Sequence, residues 1–218
     1  MNPYLPIELE HTELWLLAEK AIYWPEQQAL LVADIHFGKA AAYRRLGQPV
    51  PHGTTADNLA RLDALLARYA CKRLIFLGDF LHAPESRAPG TLAQLAAWRS
   101  DHPALEITLI RGNHDRRAGD PPPELGISVV AEPLLLGPFA LQHEPTPHPE
   151  RHVLAGHLHP AFRLRGRGRQ SLRLPCFCIG EQISLLPAFG SFTGMHEVSA
   201  EPGRRLFVIG EDSLWQVG

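Results

Sequence analysis

Short apolar runs, each closed by glycine or a polar cluster, alternate with stretches of helical spacing through the first half of the chain. Ala29 to Ala33, Arg73 to Leu77 and Glu106 to Ile110 read as buried strands. Thr54-Thr55-Ala56-Asp57 opens an amphipathic helix to about Ala70, with Leu59, Leu62, Leu65 and Leu66 on one stripe. Thr91 to Ser100 reads as a covering helix, and residues 40–53 as a short helix followed by a loop. Strand, helix, strand, helix, strand is the order of a parallel βαβ sheet. Residues 14–17 and 21–24 add short strands before it.

After Gly119-Asp120-Pro121-Pro122-Pro123 the pattern changes to closely spaced short strands, at about 127–131, 134–136, 138–142 and 153–155. Residues 161–174 read as a hairpin turning at Gly166 to Gly168, and residues 175–186 and 205–216 supply further strands. This half predicts a largely antiparallel second sheet packed on the first. No repeat, low-complexity tract or linker divides the chain, so residues 1–218 are expected to form one α/β domain.

Polar side chains gather where the strands end. Asp34 and His36 follow the first buried run, Asp79 the second, Asn113 the third. His143 closes the strand at 138–142, and His157 and His159 the one at 153–155. Asp79, Asn113 and His157 directly follow glycines, and Gly112 is expected to let the chain turn sharply. In extended chain, residues two apart point the same way, so Asp34 and His36, or His157 and His159, face one ion together. Any one of these residues has a structural explanation as a cap, a turn or a satisfied core histidine. Seven in order at strand ends outweigh that explanation. His82 fits a helix start or a supporting role better than a ligand.

Composition narrows the chemistry. The 218 residues are 45% hydrophobic and 20% charged, as in an ordinary globular chain. No apolar run approaches the ~20 residues of a membrane span. Met1-Asn2-Pro3-Tyr4 does not open a signal peptide, and Cys71, Cys176 and Cys178 lack zinc-ribbon spacing. Reduced cysteines and a cytoplasmic protein are the expectation. A net charge of −2 counts mildly against a nucleic-acid partner unless cations are local, and twelve histidines point to metal or proton chemistry. Carboxylate, imidazole and amide donors without thiolate suit Mn²⁺, Fe²⁺ or Zn²⁺.

The order Asp-x-His, Gly-Asp, Gly-Asn-His-Asp, His, Gly-His-x-His, from Asp34 to His159, resembles the calcineurin-like metallophosphoesterase superfamily. That resemblance implies a four-layer α/β/β/α fold, a two-sheet sandwich flanked by helices, with a dinuclear metal site at one edge. It implies one metal on Asp34, His36, Asp79 and His159, and another on Asp79, Asn113, His143 and His157, with Asp79 shared. Two such ions ~3.5–4 Å apart would clamp a phosphoryl group and acidify a bridging water, whose hydroxide attacks phosphorus in line. His114 is then assigned to the leaving-group side as proton donor. Asp115 would either orient His114 or cap the turn.

Gly78-Asp-Phe-Leu-His-Ala83 lacks the Gly-Asp-x-x-Asp-Arg-Gly of phosphoprotein phosphatases. Asp34-Ile-His-Phe-Gly-Lys39, Arg165-Gly-Arg-Gly-Arg169 and Leu186-Pro-Ala-Phe-Gly-Ser-Phe-Thr193 are similar to the ligase-associated DNA damage response phosphodiesterase/endonuclease family. That family implies Mn²⁺-dependent cleavage of single-stranded or damaged DNA in repair, beside an ATP-dependent DNA ligase and an associated helicase or exonuclease. Lys39, Arg44, Arg45, Arg116 and Arg117 adjoin ligand motifs and are candidates for substrate phosphates. Arg163, Arg165, Arg167, Arg169 and Arg173 could track a DNA backbone; a solvated strand face is the bland alternative. Two other readings compete. One is a small-molecule phosphodiesterase or pyrophosphatase, for a cyclic nucleotide or a nucleotide-diphosphate lipid. The other is a non-catalytic scaffold, which the complete ligand set disfavours.

Overall fold

The computed structural model describes residues 4–50, 53–168 and 170–217. Strands β1 (Tyr4–Leu9), β2 (Thr12–Leu17), β3 (Ala21–Trp24) and β4 (Ala29–Ala33) pair antiparallel through tight turns. β5 (Arg73–Leu77), β6 (Glu106–Ile110) and β7 (Ile127–Val130) then add on in parallel, so seven strands lie in chain order. Helices α1 (Lys39–Arg45), α2 (Thr54–Arg68), α3 (Pro89–Asp101) and α4 (Asn113–Ala118) fill the crossovers. Parallel crossovers are right-handed, and these all step the same way, so they put their helices on one face. Strand alternation serves both sides of the sheet. Leu30, Val32, Leu74 and Phe76 meet Leu59, Leu62 and Leu65 of α2, and Leu95 and Trp98 of α3. Leu31, Ala33, Ile75 and Leu77 point the other way, into the core between the sheets.

The second sheet supplies the opposite wall of that core. Its strands are β8 (Leu134–Leu136), β9 (Phe139–Gln142), β10 (His152–Ala155), β11 (Pro160–Arg165), β12 (Ser171–Ile179), β13 (Ile183–Leu185), β14 (His196–Glu197), β15 (Arg205–Gly210) and β16 (Ser213–Val217). Their order is β14-β11-β12-β13-β10-β9-β8, with β15 on β12 and β16 on β15. Phe139, Leu141, Leu154, Phe177, Phe207 and Ile209 face the first sheet. Ala140, Val153, Ala155, Cys178 and Leu206 line the outer face, where Phe162 and Val198 pack; no helix follows β7 among the described residues. The expected two-sheet sandwich flanked by helices is the observed architecture, with the helices on the first sheet; a second helical layer over the outer sheet, expected from the four-layer α/β/β/α arrangement, is absent among the described residues.

The second sheet departs from a largely antiparallel reading at two places, at the β11–β14 edge and in its centre. β9, β10 and β13 run parallel, with the loop 143–151 acting as the crossover. This matters for the site, because the carboxyl ends of parallel strands share one edge. β1, β14 and the short helix α4 were not anticipated from the pattern. β1 and β14 owe their pairing to β2 and β11, and α4 is a single polar turn with no apolar stripe to signal it.

Candidate metal centre

The ends of β4, β5 and β6 meet those of β9 and β10 at one edge of the sandwich, and all seven expected ligands converge there. The loops after β4 and β5 continue the sheet as a short ribbon: His36 N–H donates to Asp79 O (2.9 Å) and Phe37 N–H to Phe80 O (2.8 Å). Extended alternation is not what aims the pairs. Asp34 (φ 53°), His36 (49°), Asp79 (50°), His157 (69°) and His159 (51°) all lie in the left-handed region. That conformation costs about 1–2 kcal/mol for each residue with a Cβ. Five such residues in one cluster mark stored strain of the kind found at functional sites.

The neighbouring glycines are there for closeness. Gly112 is extended (φ −84°, ψ 177°), so the expected sharp turn is not its role. A Cβ at Gly112 would lie 2.4 Å from Asp79 Oδ1, and one at Gly156 would lie 2.5 Å from Asp34 Oδ2. At Gly78, with φ +78°, a Cβ would lie 2.2 Å from His143 Nδ1. Gly78→Ala should therefore displace His143 and cost at least about 2 kcal/mol of stability. Melting and Mn²⁺ titration check this; wild-type behaviour in both would mean the approach is not tight.

Asp79 sits between two donor sets. Its Oδ2 is 3.6 Å from His36 Nε2 and its Oδ1 is 3.5 Å from His143 Nε2. On one side, donor atoms of Asp34, His36 and His159 lie within 4.8 Å of one another. On the other, His143 Nε2 is 2.8 Å from Asn113 Oδ1 and 3.0 Å from His157 Nδ1. Two carbonyls set tautomers: His143 Nδ1–H donates to Leu77 O (3.1 Å) and His159 Nδ1–H to Gly194 O (3.1 Å), leaving both Nε2 lone pairs inward.

Buried Asp34 Oδ1 and His36 Nε2 have no hydrogen-bond partner among the described residues. Orphaned buried polar atoms are costly, and a cation would satisfy both. Burial, reinforced by Lys39, holds the His36 imidazole neutral and ready to ligate. Burial and, less strongly, Asp34 push the Asp79 carboxyl up against the pull of His143. These groups fit a pair of divalent ions.

His114 faces the centre from the rim. Its Nδ1–H donates to His82 O (2.7 Å), and its Nε2 is 4.0 Å from Asp79 Oδ2. His82 O, rather than Asp115, orients it. The Asp115 carboxylate is fully buried and accepts Leu81 N–H and Gly112 N–H, each at 3.0 Å. It staples the turn after β6 to the loop after β5, which is the cap role, and burial pushes its pKa up to about 6. His82 is the residue the strand-end pattern undervalued. Its ring stacks on His114 (4.7 Å, 22°) and its Nδ1 lies 3.3 Å from His36 Nδ1. Burial, then Lys39, lowers its pKa to about 4.

Asn58 was missed altogether. It is buried on α2, its Nδ2 donates to Ile35 O (3.2 Å), and its Oδ1 accepts Ser191 Oγ–H (2.9 Å). With Phe189 N–H on Ala33 O (2.8 Å), it ties the segment Leu186 to Thr193 beneath the Asp34 loop. The signal was available: Asn58 stands one turn before Leu62 on the apolar stripe, where a polar residue needs a reason.

The basic residues divide. Lys39 opens α1 beside the centre, where Asp79 and Asp34 offset part of its burial. Arg44 is half-buried, and Arg45 and Arg117 are exposed. Arg116 turns instead to Glu132 (3.3 Å), whose other oxygen accepts His143 N–H (2.8 Å). Arg163 pairs with Glu197 (2.8 Å) and lies opposite Arg173, while Arg165 and Arg167 are exposed. β11 leaves the centre directly after His159, so at ~3.3 Å per residue Arg165 is roughly 20 Å away. Arg169 lies outside the described residues. Cys176 and Cys178 are buried, and burial lifts the Cys176 thiol to about 12. Among the described residues no helix is long and apolar enough to cross a membrane.

Comparison with known proteins places this geometry. The profile of calcineurin-like phosphoesterases matches residues 28–134, which carry Asp34, His36, Asp79 and Asn113. Among solved structures, the nuclease MPE of Pseudomonas putida superposes with a TM-score of 0.88 at 56% identity, over 98% of this chain and 100% of that one. No curated protein sequence matches.

Proposed function

Since this chain belongs to the calcineurin-like phosphoesterase family and is a metal-dependent phosphoesterase, we propose that it is a nuclease cutting internal phosphodiesters of single-stranded or damaged DNA with Mn²⁺. The observation that carries the chemistry is Asp79, with one oxygen turned to each donor set. Asp34, His36 and His159 would hold one ion and Asn113, His143 and His157 the other, with Asp79 shared. Two divalent ions so held supply positive charge for a phosphoryl group and a nucleophile at neutral pH.

The chain's own residues do the rest. Asp34 Oδ2 fixes the β10 loop by accepting His157 N–H (2.9 Å), and Asp79 Oδ1 fixes the β6 loop by accepting His114 N–H (2.9 Å). Lys39 stands ready for a non-bridging phosphate oxygen, and His114 Nε2 for the oxygen that leaves. A DNA substrate is favoured over a small molecule by the likeness to the Pseudomonas putida nuclease MPE at 56% identity. Work beside an ATP-dependent DNA ligase and a repair helicase or exonuclease is the setting we infer, supported by the motif resemblance.

The test is a substrate panel with Mn²⁺: single-stranded DNA, duplex DNA, a bis-aryl phosphate, an aryl monophosphate and a cyclic nucleotide. Single-stranded DNA and the bis-aryl phosphate should be cleaved, and a chelator should stop both. Mn²⁺ at 100 times its Kd should add about 2.7 kcal/mol, roughly 5–10 °C in Tm for a chain of this size. Intact DNA beside turnover of a cyclic nucleotide or a lipid-linked sugar nucleotide would overturn the proposal.

A further inference from the structure

A run of rings leads outward from the centre. His82 lies 5.1 Å from the His36 ring, Tyr43 of α1 lies 5.7 Å from His82, and Phe192, in the loop after β13, lies 5.7 Å from Tyr43. Tyr43 and Phe192 are both half-buried rather than packed into the core. They meet edge to face at 88°, an arrangement that leaves at least one face of each ring uncovered by the other. Neither ring is needed to close a hydrophobic cluster: the core on this side of the sheet is completed by Phe37, Phe80 and Phe189.

We propose that Tyr43 and Phe192 form a stacking subsite for the nucleobase next to the scissile phosphate. This rests on the nuclease reading above and deepens it, because it says how a single strand is chosen. Two ring-to-ring steps, 5.1 and 5.7 Å, separate Tyr43 from the ligand His36. That is within one nucleotide of a phosphate held at the centre. Every base has a π-face, so stacking tolerates any sequence. A paired base is already stacked inside its duplex and reaches the rings only if it is flipped out, which costs energy. The subsite therefore selects unpaired DNA without reading it. Exposed Arg45, two residues beyond Tyr43, adds positive charge on the same short helix for a neighbouring phosphate.

The experiment uses the Mn²⁺-loaded protein and single-stranded oligonucleotides carrying one abasic unit at a defined position. Loss of a stacked base is worth about 5- to 150-fold, so wild type should cut the phosphate flanking the abasic unit that much more slowly than the same phosphate in ordinary DNA. Tyr43→Leu and Phe192→Leu should raise KM on ordinary DNA and lose this discrimination. Tyr43→Phe should restore it. Melting and Mn²⁺ binding confirm that each variant is folded. If wild type cuts beside the abasic unit at full speed, or if both leucine variants still discriminate, the subsite is refuted. If no DNA is cut while another phosphodiester is, the nuclease reading itself falls.

Discussion

Asp79→Asn should bring phosphodiesterase activity to background and weaken both metal sites by about a thousandfold or more. The buried carboxylate offers one oxygen to each donor set, 3.6 Å from His36 Nε2 and 3.5 Å from His143 Nε2. Asparagine keeps the shape but replaces one oxygen with an amide donor and removes the charge. A unit charge at 4 Å is worth about 4 kcal/mol at an effective dielectric of 20, close to a thousandfold in affinity. Calorimetric Mn²⁺ titration together with turnover reads both effects. Misfolding is separable from loss of metal. Asp79 is crowded by burial and by Asp34 in the metal-free protein, so removing its charge should leave the apo Tm unchanged or raise it. An Asp79→Asn protein that still binds two ions and cleaves DNA would remove the shared-carboxylate assignment.

His114→Ala should behave differently. Turnover of DNA should fall by about 10²–10⁴, the usual range for a positioned general acid, while both ions stay bound. His82 O takes the Nδ1 proton of His114, which leaves Nε2 directed at the centre. Nε2 can donate to a leaving oxygen only when it carries a proton, and alanine has none to give. A bis-aryl phosphate, whose leaving group departs without a proton, should be much less affected. If Mn²⁺ binding is lost along with activity, His114 is a ligand. If the aryl ester and DNA suffer equally, it is no proton donor.

The parts of the site that could be read from sequence are those each strand carries by itself. An apolar run followed by glycine and a metal-type side chain marks both a buried strand and the loop at its end, as in Phe76-Leu77-Gly78-Asp79. Asp115 shows where such reading stops. Its position beside His114 suggested an orienting partner, yet its carboxylate is used by the backbone of Leu81 and Gly112. Adjacency in sequence says nothing about which way a side chain turns once a neighbouring loop offers unpaired N–H groups. Arg116 is a similar case, turned from the centre by Glu132.

Hydrophobic period and residue type, which are local properties, determined the strands β4, β5 and β6, the helix α2 and the chemical identity of the seven candidate ligands. Tertiary contact alone decided the left-handed backbone at Asp34, His36, Asp79, His157 and His159. It also decided the parallel run of β9, β10 and β13, the crowding that requires glycine at 78, 112 and 156, and the meeting of Tyr43 with Phe192. The physical reason is separation along the chain. Asp34 is held by the backbone of His157 and Asn58 by Ser191, contacts spanning 123 and 133 positions, and no periodicity within one segment encodes a partner that arrives from another.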